Sequence, residues 1–196
     1  MTTNDHFSPR VALVTGSGSG IGAAVARRLA RPGTSLLLHA RSNRAGCEAT
    51  AEAVCSAGAQ AEIVLGDLSD PETAGVLVTR SIGAFGSLDV LVANAGFPIL
   101  KGFGEVTAED MDYAYRVISA GFCQMATAAM PHLEKSNHGR VVAVSSLNVH
   151  TFRNDFPVFP ASAAAKAGLE ALARSLAVQL SPTGTTVNVV APGMIN

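Results

Sequence analysis

Short apolar runs alternate along the chain with longer segments in which apolar residues recur every three or four positions. The short runs are apolar on both faces, which is typical of strands in a parallel sheet covered by helices on both sides. The pattern predicts six strands, at residues 11–14, 35–38, 61–65, 88–92, 140–144 and 186–190. It predicts five helices, at residues 21–31, 44–57, 71–85, 108–133 and 160–180. This alternation predicts an α/β fold with a single doubly wound parallel sheet and helices on both faces.

Composition favours one globular domain within the 196 residues, because 48% are hydrophobic and only 15% are charged. Residues 1–9 are polar and are predicted to form a flexible tail before a domain spanning 10–196. The net charge of −1 and the absence of like-charge blocks argue against a nucleic-acid partner. No apolar run is long enough for a membrane span, so a cytoplasmic protein is expected. The three cysteines and five histidines show no metal-ligand spacing, so no metal is expected.

A glycine-rich segment, Gly16–Gly22, joins the first predicted strand to the first predicted helix. Glycines at such a junction bring bare amide groups against a phosphate, and the helix N-terminus adds a positive dipole end. The absence of a Gly-Lys-Ser/Thr ending argues against a nucleoside-triphosphate loop. The segment therefore predicts a dinucleotide diphosphate site, with an ordinary flexible turn as the alternative. The residues assigned to it are Gly16, Ser17, Ser19, Gly20, Ile21 and Gly22.

Polar or glycine residues also follow the other five predicted strands. Parallel strands end at one edge of a sheet, which is where ligands bind in doubly wound folds. A ligand site is therefore expected along this edge. The residues placed there are Arg41, Asp67, Asn94, Ala95, Gly96, Ser145, Ser146, Pro192 and Gly193.

The ordered set of motifs resembles the short-chain dehydrogenase/reductase family over nearly the whole chain. The segments that carry the resemblance are Thr15–Gly22, Asp67, Ala93–Gly96, Ser146, Lys166 to Gly168 and Ala191–Gly193. The resemblance implies a Rossmann fold, a nicotinamide dinucleotide, and interconversion of a hydroxyl and a carbonyl on a small molecule. It also implies that Asp67 binds the adenine amine, with Leu68 and Asn94–Gly96 beside it. Taken alone, Asp67 could instead cap the helix that begins near Pro71.

The second predicted strand ends in His39-Ala40-Arg41, without an acidic residue. A carboxylate at this place usually binds the ribose 2′-hydroxyl, whereas an arginine suits a 2′-phosphate. NADP(H) is therefore expected in preference to NAD(H), which remains the second choice. The alternative for Arg41 is a solvated surface side chain.

The chain departs from the family at the proton donor. Family members carry Tyr-x-x-x-Lys on one helix, and here Lys166 is preceded by Ser162 at the tyrosine position. The family's active-site asparagine is also missing, since its place falls at Ile118 or Ser119. Of the family's four catalytic residues only Ser146 and Lys166 remain. The two tyrosines, Tyr113 and Tyr115, lie on another predicted helix that is usually outside the cleft.

Three explanations for this departure stay open. The chain could be an impaired oxidoreductase, or an active one that uses another acid, such as Ser162 through water or His150. It could also be a non-catalytic dinucleotide-binding protein with a regulatory or scaffolding role. The leading hypothesis is an NADP(H)-preferring oxidoreductase in which Ser146 orients the carbonyl, Lys166 holds the nicotinamide ribose, and Ser162 occupies the donor's place. For His150, a solvated loop position is the alternative.

Two further expectations concern the end of the chain and its assembly. Family members usually continue beyond the Pro-Gly turn, so the domain is expected to be short at its C-terminus, with the sixth strand at a sheet edge.

The predicted helix at 160–180 presents small residues from Ala163 to Gly168. In relatives this helix pairs across a two-fold axis, so a homodimer or homotetramer is expected.

Overall fold

The computed structural model describes residues 10–195, so the predicted tail at 1–9 lies outside the described residues. Six parallel strands form one sheet in the order β3-β2-β1-β4-β5-β6. They are β1 (Arg10–Val14), β2 (Thr34–Ala40), β3 (Gln60–Leu65), β4 (Val90–Ala93), β5 (Arg140–Val144) and β6 (Thr186–Val190). The helices are α1 (Gly20–Leu29), α2 (Arg44–Ser56), α3 (Pro71–Phe85), α4 (Ala108–Tyr115), α5 (Gly121–Leu133) and α6 (Pro160–Leu180). The predicted doubly wound α/β fold is confirmed.

Alternate side chains of the central strands enter different hydrophobic cores. In β1, Leu13 packs with residues of α3, α5 and α6, whereas Ala12 and Val14 pack with residues of α1 and α2. Both faces of a strand are thereby buried, which is why the strands appear as continuous apolar runs. The strand order reverses between β1 and β4, and this reversal opens a crevice beyond the carboxyl ends of the strands.

The predicted helix at 108–133 is interrupted in the structure. A π-helical turn, Arg116–Ala120, separates α4 from α5, and the amide of Gly121 donates to the carbonyl of Arg116, five residues earlier. The widened turn lies where this segment crosses α6, and the hydroxyl of Ser119 donates to the carbonyl of Ala165 at 2.6 Å. Hydrophobic periodicity does not reveal such a single-turn change, because the helical residues before and after the π turn keep nearly the same buried face.

Side-chain caps mark the start of α3 and of α4. Asp70 caps α3 by accepting from the amide of Glu72, so Asp67 does not serve as the cap. Thr107 and Asp110 form a reciprocal capping box at the start of α4. Within residues 10–195, every helix is too short or too polar to cross a bilayer.

Candidate functional site

A cleft of about 800 Å³ runs along the carboxyl edge of the sheet. It brings together most of the residues singled out in the sequence, from the glycine-rich turn after β1 to the segment after β6. The residues that line it are Gly16, Ser19, Gly20, Ile21, Arg41, Asp67, Leu68, Asn94, Ala95, Gly96, Ser146, Ser162, Lys166, Pro192 and Gly193. Ser17 and Gly22, which the sequence assigns to the diphosphate site, do not line the cleft but lie behind its surface.

Ser17 and Gly22 shape the glycine-rich turn from behind. The buried Ser17 hydroxyl accepts from the amide of His39 at 2.8 Å, which joins the turn to β2. A Cβ at Gly22 would collide with the carbonyl of Gly16 and the side-chain amide of Asn94. Gly16 itself has φ of 65°, in the left-handed region that favours glycine. The turn can therefore form only with glycine at both positions.

The first helix presents uncapped amides to the cleft. Ser19 occupies the N-cap position of α1 but makes no side-chain cap hydrogen bond, and the first turn of α1 carries no acidic residue. The first amides of a helix need partners, and an anion at this end is stabilised by the helix dipole. Since Ser19, Gly20 and Ile21 line the cleft, the donor set here fits a diphosphate.

Asn94 and Thr15 hold the walls of the crevice at a fixed separation. The Asn94 side-chain amide donates to the carbonyls of Thr15 and Gly16, at 2.9 and 3.2 Å. In return the Thr15 hydroxyl accepts from the amides of Asn94 and Ala95, each at 3.0 Å. These bonds cross from β1 to β4 at the strand-order reversal. The Asn94 side-chain nitrogen therefore supports the turn from within, and both of its N–H donors are used there.

At one end of the cleft, Tyr113 lies between two charged side chains. Arg41 donates to the Tyr113 hydroxyl at 2.7 Å, and that hydroxyl donates to Asp67 Oδ2 at 2.9 Å. Burial raises the pKa of Asp67, but hydrogen bonds from Ser69 and Tyr113 outweigh it and hold the pKa below its usual value. The Tyr113 hydrogen bond also raises the pKa of Arg41. The expectation that this tyrosine lies outside the cleft is wrong.

Lys166 lies at the other end of the cleft, on α6. Its side chain is 7% exposed, and its ammonium donates to the carbonyl of Val144 at 2.5 Å. Burial lowers the pKa of Lys166 to about 8. A Cβ at Gly96 would come within 2.9 Å of this ammonium, so the backbone of the Asn94–Gly96 turn approaches it closely. Lys166 is thus a buried cation that can lose its proton near neutral pH.

Ser162, one turn before Lys166, binds the loop that follows β4. Its hydroxyl accepts from the amide of Ile99 at 2.8 Å and donates to the carbonyl of Phe97 at 3.1 Å. Both the donor and an acceptor site of the hydroxyl are thereby used within the protein. A proton donated from Ser162 would require this bond to Phe97 to break.

The turn that carries Ser146 is anchored by its neighbour Ser145. The Ser145 hydroxyl donates to Glu170 Oε1 at 2.5 Å, and Nε2 of His150 lies 2.7 Å from the same oxygen. Arg174 donates to the other oxygen at 3.1 Å. Burial raises the pKa of the 4%-exposed Glu170, but these hydrogen bonds and charges bring it below its usual value. His150 therefore lies against Glu170 and does not line the cleft.

The segment after β6 closes the same turn from the other side. The carbonyl of Pro192 accepts from the amide of Leu147 at 3.0 Å. Ser146 also accepts from the amide of Asn148, at 3.3 Å, and so begins the short 3-10 helix Leu147–Val149. These contacts leave the Ser146 hydroxyl hydrogen free to donate to a ligand.

Neither of the two positions expected for the family's asparagine, Ile118 and Ser119, carries a side-chain amide. Ile118 is 2% exposed, and its Cδ1 lies 3.8 Å from where a Cβ of Gly96 would stand, beside Lys166. Ser119, the other candidate position, instead binds the backbone of α6. Neither residue can therefore offer an amide to a ligand beside Lys166.

An apolar pocket of about 320 Å³ adjoins the Ser146 end of the cleft. It shares Asn148, Phe156, Phe159 and Ala163 with the cleft, so the two spaces have a common wall. Phe152 and Val158 are among the other apolar residues that line it. Sequence reasoning missed these residues and Tyr113, because they lie in irregular segments or on a helix whose register is set by tertiary contacts.

Comparison with known proteins agrees with this geometry. The family described as short chain dehydrogenase matches residues 10–196. Cis-4-hydroxycyclohexanecarboxylate dehydrogenase of Sinomonas cyclohexanicum is 38% identical over 194 residues, covering 96% of this chain and 74% of its own length. A short chain dehydrogenase of Burkholderia cenocepacia in complex with NADP has a TM-score of 0.89 at 33% identity, with 96% and 76% of the chains covered. NAD⁺-bound xylitol dehydrogenase has a TM-score of 0.85 at 28% identity, with 95% and 71% covered.

A Rossmann-type sheet with a glycine-rich turn at its reversal point defines the class of protein. Within that class, the match to residues 10–196 is decisive. The chain belongs to the short-chain dehydrogenase/reductase family.

Proposed function

We propose that the protein is an NADP(H)-preferring oxidoreductase that interconverts a hydroxyl and a carbonyl on a small molecule. The observation that carries this proposal is the cleft itself, in which the uncapped start of α1 and the buried Lys166 lie on one surface. The dinucleotide, when bound, supplies hydride chemistry at its nicotinamide. The amides of Ser19, Gly20 and Ile21 would hold its diphosphate, and Arg41 its 2′-phosphate.

Three side chains would act on the reacting end. Ser146 has a free hydroxyl hydrogen with which to orient and polarise a carbonyl oxygen. Lys166 would bind the nicotinamide ribose with the donors that Val144 does not use. Ser162 occupies the donor's place, so a proton would reach the substrate from its hydroxyl through a bridging water.

The proton step is expected to be slow in this chain. The Ser162 hydroxyl is bound to Phe97 and Ile99, and a serine hydroxyl is a much weaker acid than a phenol. Proton donors work best when their pKa lies near the operating pH. This same observation favours the second candidate function, a dinucleotide-binding protein that acts through interaction without turnover.

The substrate would have an apolar body. The pocket beside Ser146 is lined by Phe152, Phe156 and Phe159, and binding sites of this kind bury most of a ligand's surface. The related dehydrogenase from Sinomonas cyclohexanicum acts, by its name, on a hydroxylated cyclohexane acid. Cyclic and aromatic ketones are therefore the first compounds to test.

Fluorescence titration with NADPH, followed by NADPH consumption with a panel of such ketones, tests both candidate functions. Ser162→Tyr is the informative variant, since it restores a phenol one turn before Lys166. We expect the parent to bind NADPH and turn over slowly, and the variant to gain activity. A parent that turns over as well as the variant would refute the impaired site. A parent that binds no dinucleotide would refute both functions.

One exposed face of α6 supports a proposal about assembly. Ala164, Ala167 and Ala171 form an exposed, smooth face on α6 that permits close helix approach. We propose a cytoplasmic homodimer or homotetramer built on this face. Light scattering after size exclusion, with Ala167→Arg as the disrupting variant, tests it, and a monomeric parent would refute it.

A further inference from the structure

We infer that Tyr113 is a specificity-determining residue for NADPH over NADH, because its hydroxyl keeps Arg41 apart from Asp67 and so leaves guanidinium donors for a 2′-phosphate. This inference rests on the proposed function, since it concerns the adenosine end of the same cleft. Tyr113 does not touch the reacting atoms and would act through its two charged neighbours.

The three side chains come from three different elements. Arg41 follows β2, Asp67 follows β3, and Tyr113 lies on α4. The phenol accepts from Arg41 at 2.7 Å and donates to Asp67 at 2.9 Å. Within residues 10–195, Arg41 and Asp67 make no direct ion pair, and they meet only through this hydroxyl.

The spacing matters because a direct pair would occupy more of the Arg41 donors and neutralise its charge. A guanidinium carries five N–H donors in a planar fork, and it pairs with a carboxylate through two of them. With the phenol between them, Arg41 uses one N–H donor on Tyr113 and keeps the others for a 2′-phosphate. Asp67 Oδ2 accepts only the phenol, so one of its lone pairs remains for an amine.

The position of the phenol is fixed by packing. The Tyr113 ring lies 5.2 Å from the ring of Phe97, centroid to centroid, at an interplanar angle of 36°. The start of α4 is held by the Thr107–Asp110 capping box, and Lys101 binds Asp110 at 2.7 Å. Tyr113 also lines the cleft. Its hydroxyl is thus presented at a set point between the ends of β2 and β3.

Tyr113→Phe removes the hydroxyl and keeps the ring against Phe97. We expect the variant to bind NADPH about tenfold more weakly, since a charge-assisted contact is weakened, and NADH within about twofold of the parent. Adenosine 2′,5′-bisphosphate and AMP, titrated by calorimetry, should show the same difference without the nicotinamide. Tyr115→Phe is the matched control, because Tyr115 lies on the same helix and is 58% exposed.

A double-mutant cycle with Arg41→Ala separates the inference from a purely structural effect. If Tyr113 acts by orienting Arg41, Tyr113→Phe should have no further effect on the NADPH-to-NADH ratio in the Arg41→Ala background. An equal loss for both dinucleotides, or the same loss in both backgrounds, would overturn the inference. A parent that binds NADPH and NADH equally would refute the preference itself, and a parent that binds neither would refute the proposed function. Thermal melting of each variant excludes unfolding as the cause.

Discussion

The ammonium of Lys166 donates to the carbonyl of Val144 at 2.5 Å, and it does so from a buried position. Within residues 10–195 this ammonium makes no ion pair, and burial lowers its pKa. Such a cation costs folding free energy and is expected where a ligand later binds it.

The first prediction concerns pH. The pKa of Lys166 falls from 10.5 to about 8 on folding, so between these values the unfolded chain binds more protons and stability rises with pH. From the lower to the upper end of this window, the free energy of unfolding of the parent should rise by on the order of 3 kcal/mol more than that of Lys166→Met. Urea unfolding of both proteins at about pH 8 and at about pH 10.5 measures it. A constant difference between the two proteins would contradict the prediction.

A second prediction concerns Ser162. Replacing it with alanine leaves the amide of Ile99 and the carbonyl of Phe97 without their partner. The free energy of unfolding should fall by about 1–3 kcal/mol. Ser175→Ala is the control, because Ser175 is exposed on the same helix and donates only to the carbonyl of Ala171. Equal losses in the two variants would show that the contact with the loop is unimportant.

The third prediction concerns Arg41. Arg41→Ala should weaken NADPH binding by about tenfold relative to NADH, from loss of a charge-assisted phosphate contact. Fluorescence titration with both dinucleotides measures the ratio. Arg80→Ala serves for comparison, since Arg80 pairs with Glu62, outside the cleft. Equal effects on NADPH and NADH would exclude Arg41 from this role.

The fourth prediction concerns Gly22. A methyl group there collides with the carbonyl of Gly16, so Gly22→Ala should lower the free energy of unfolding by about 1–3 kcal/mol and abolish NADPH binding. Gly75→Ala provides the contrast, because its added Cβ meets open space within α3. That variant should gain about 0.5–1 kcal/mol. Normal NADPH binding by Gly22→Ala would contradict the proposed diphosphate site.

The sheet and its helices could be predicted because the relevant signals are local. The bounds of β5, β6, α3 and α6 agree with the sequence pattern. For α3 and α6 a proline at the first turn marks the start. The roles of Gly16 and Gly22 could also be predicted from the sequence, because the turn tolerates no side chain at either position.

Side-chain contacts between elements could not be predicted in the same way. Ser17 is of a residue type that can bind phosphate, yet its side chain is buried against β2. The sequence does not predict that the half-exposed His150 lies 2.7 Å from Glu170 on α6. Tyr113 reaches the cleft because the turns after β2 and β3 end beside α4. Each of these placements depends on how separate elements pack, which hydrophobic periodicity does not encode.

Lys166 and Glu170 stand one turn apart on α6, and each binds the chain where it leaves β5, through Val144 and Ser145. A displacement of α6 would therefore also displace the end of β5. Such a displacement would leave the separation between Lys166 and Ser146 nearly unchanged. These two side chains are thus coupled to one another through α6 and β5, whereas Arg41 and Asp67 stand on other elements.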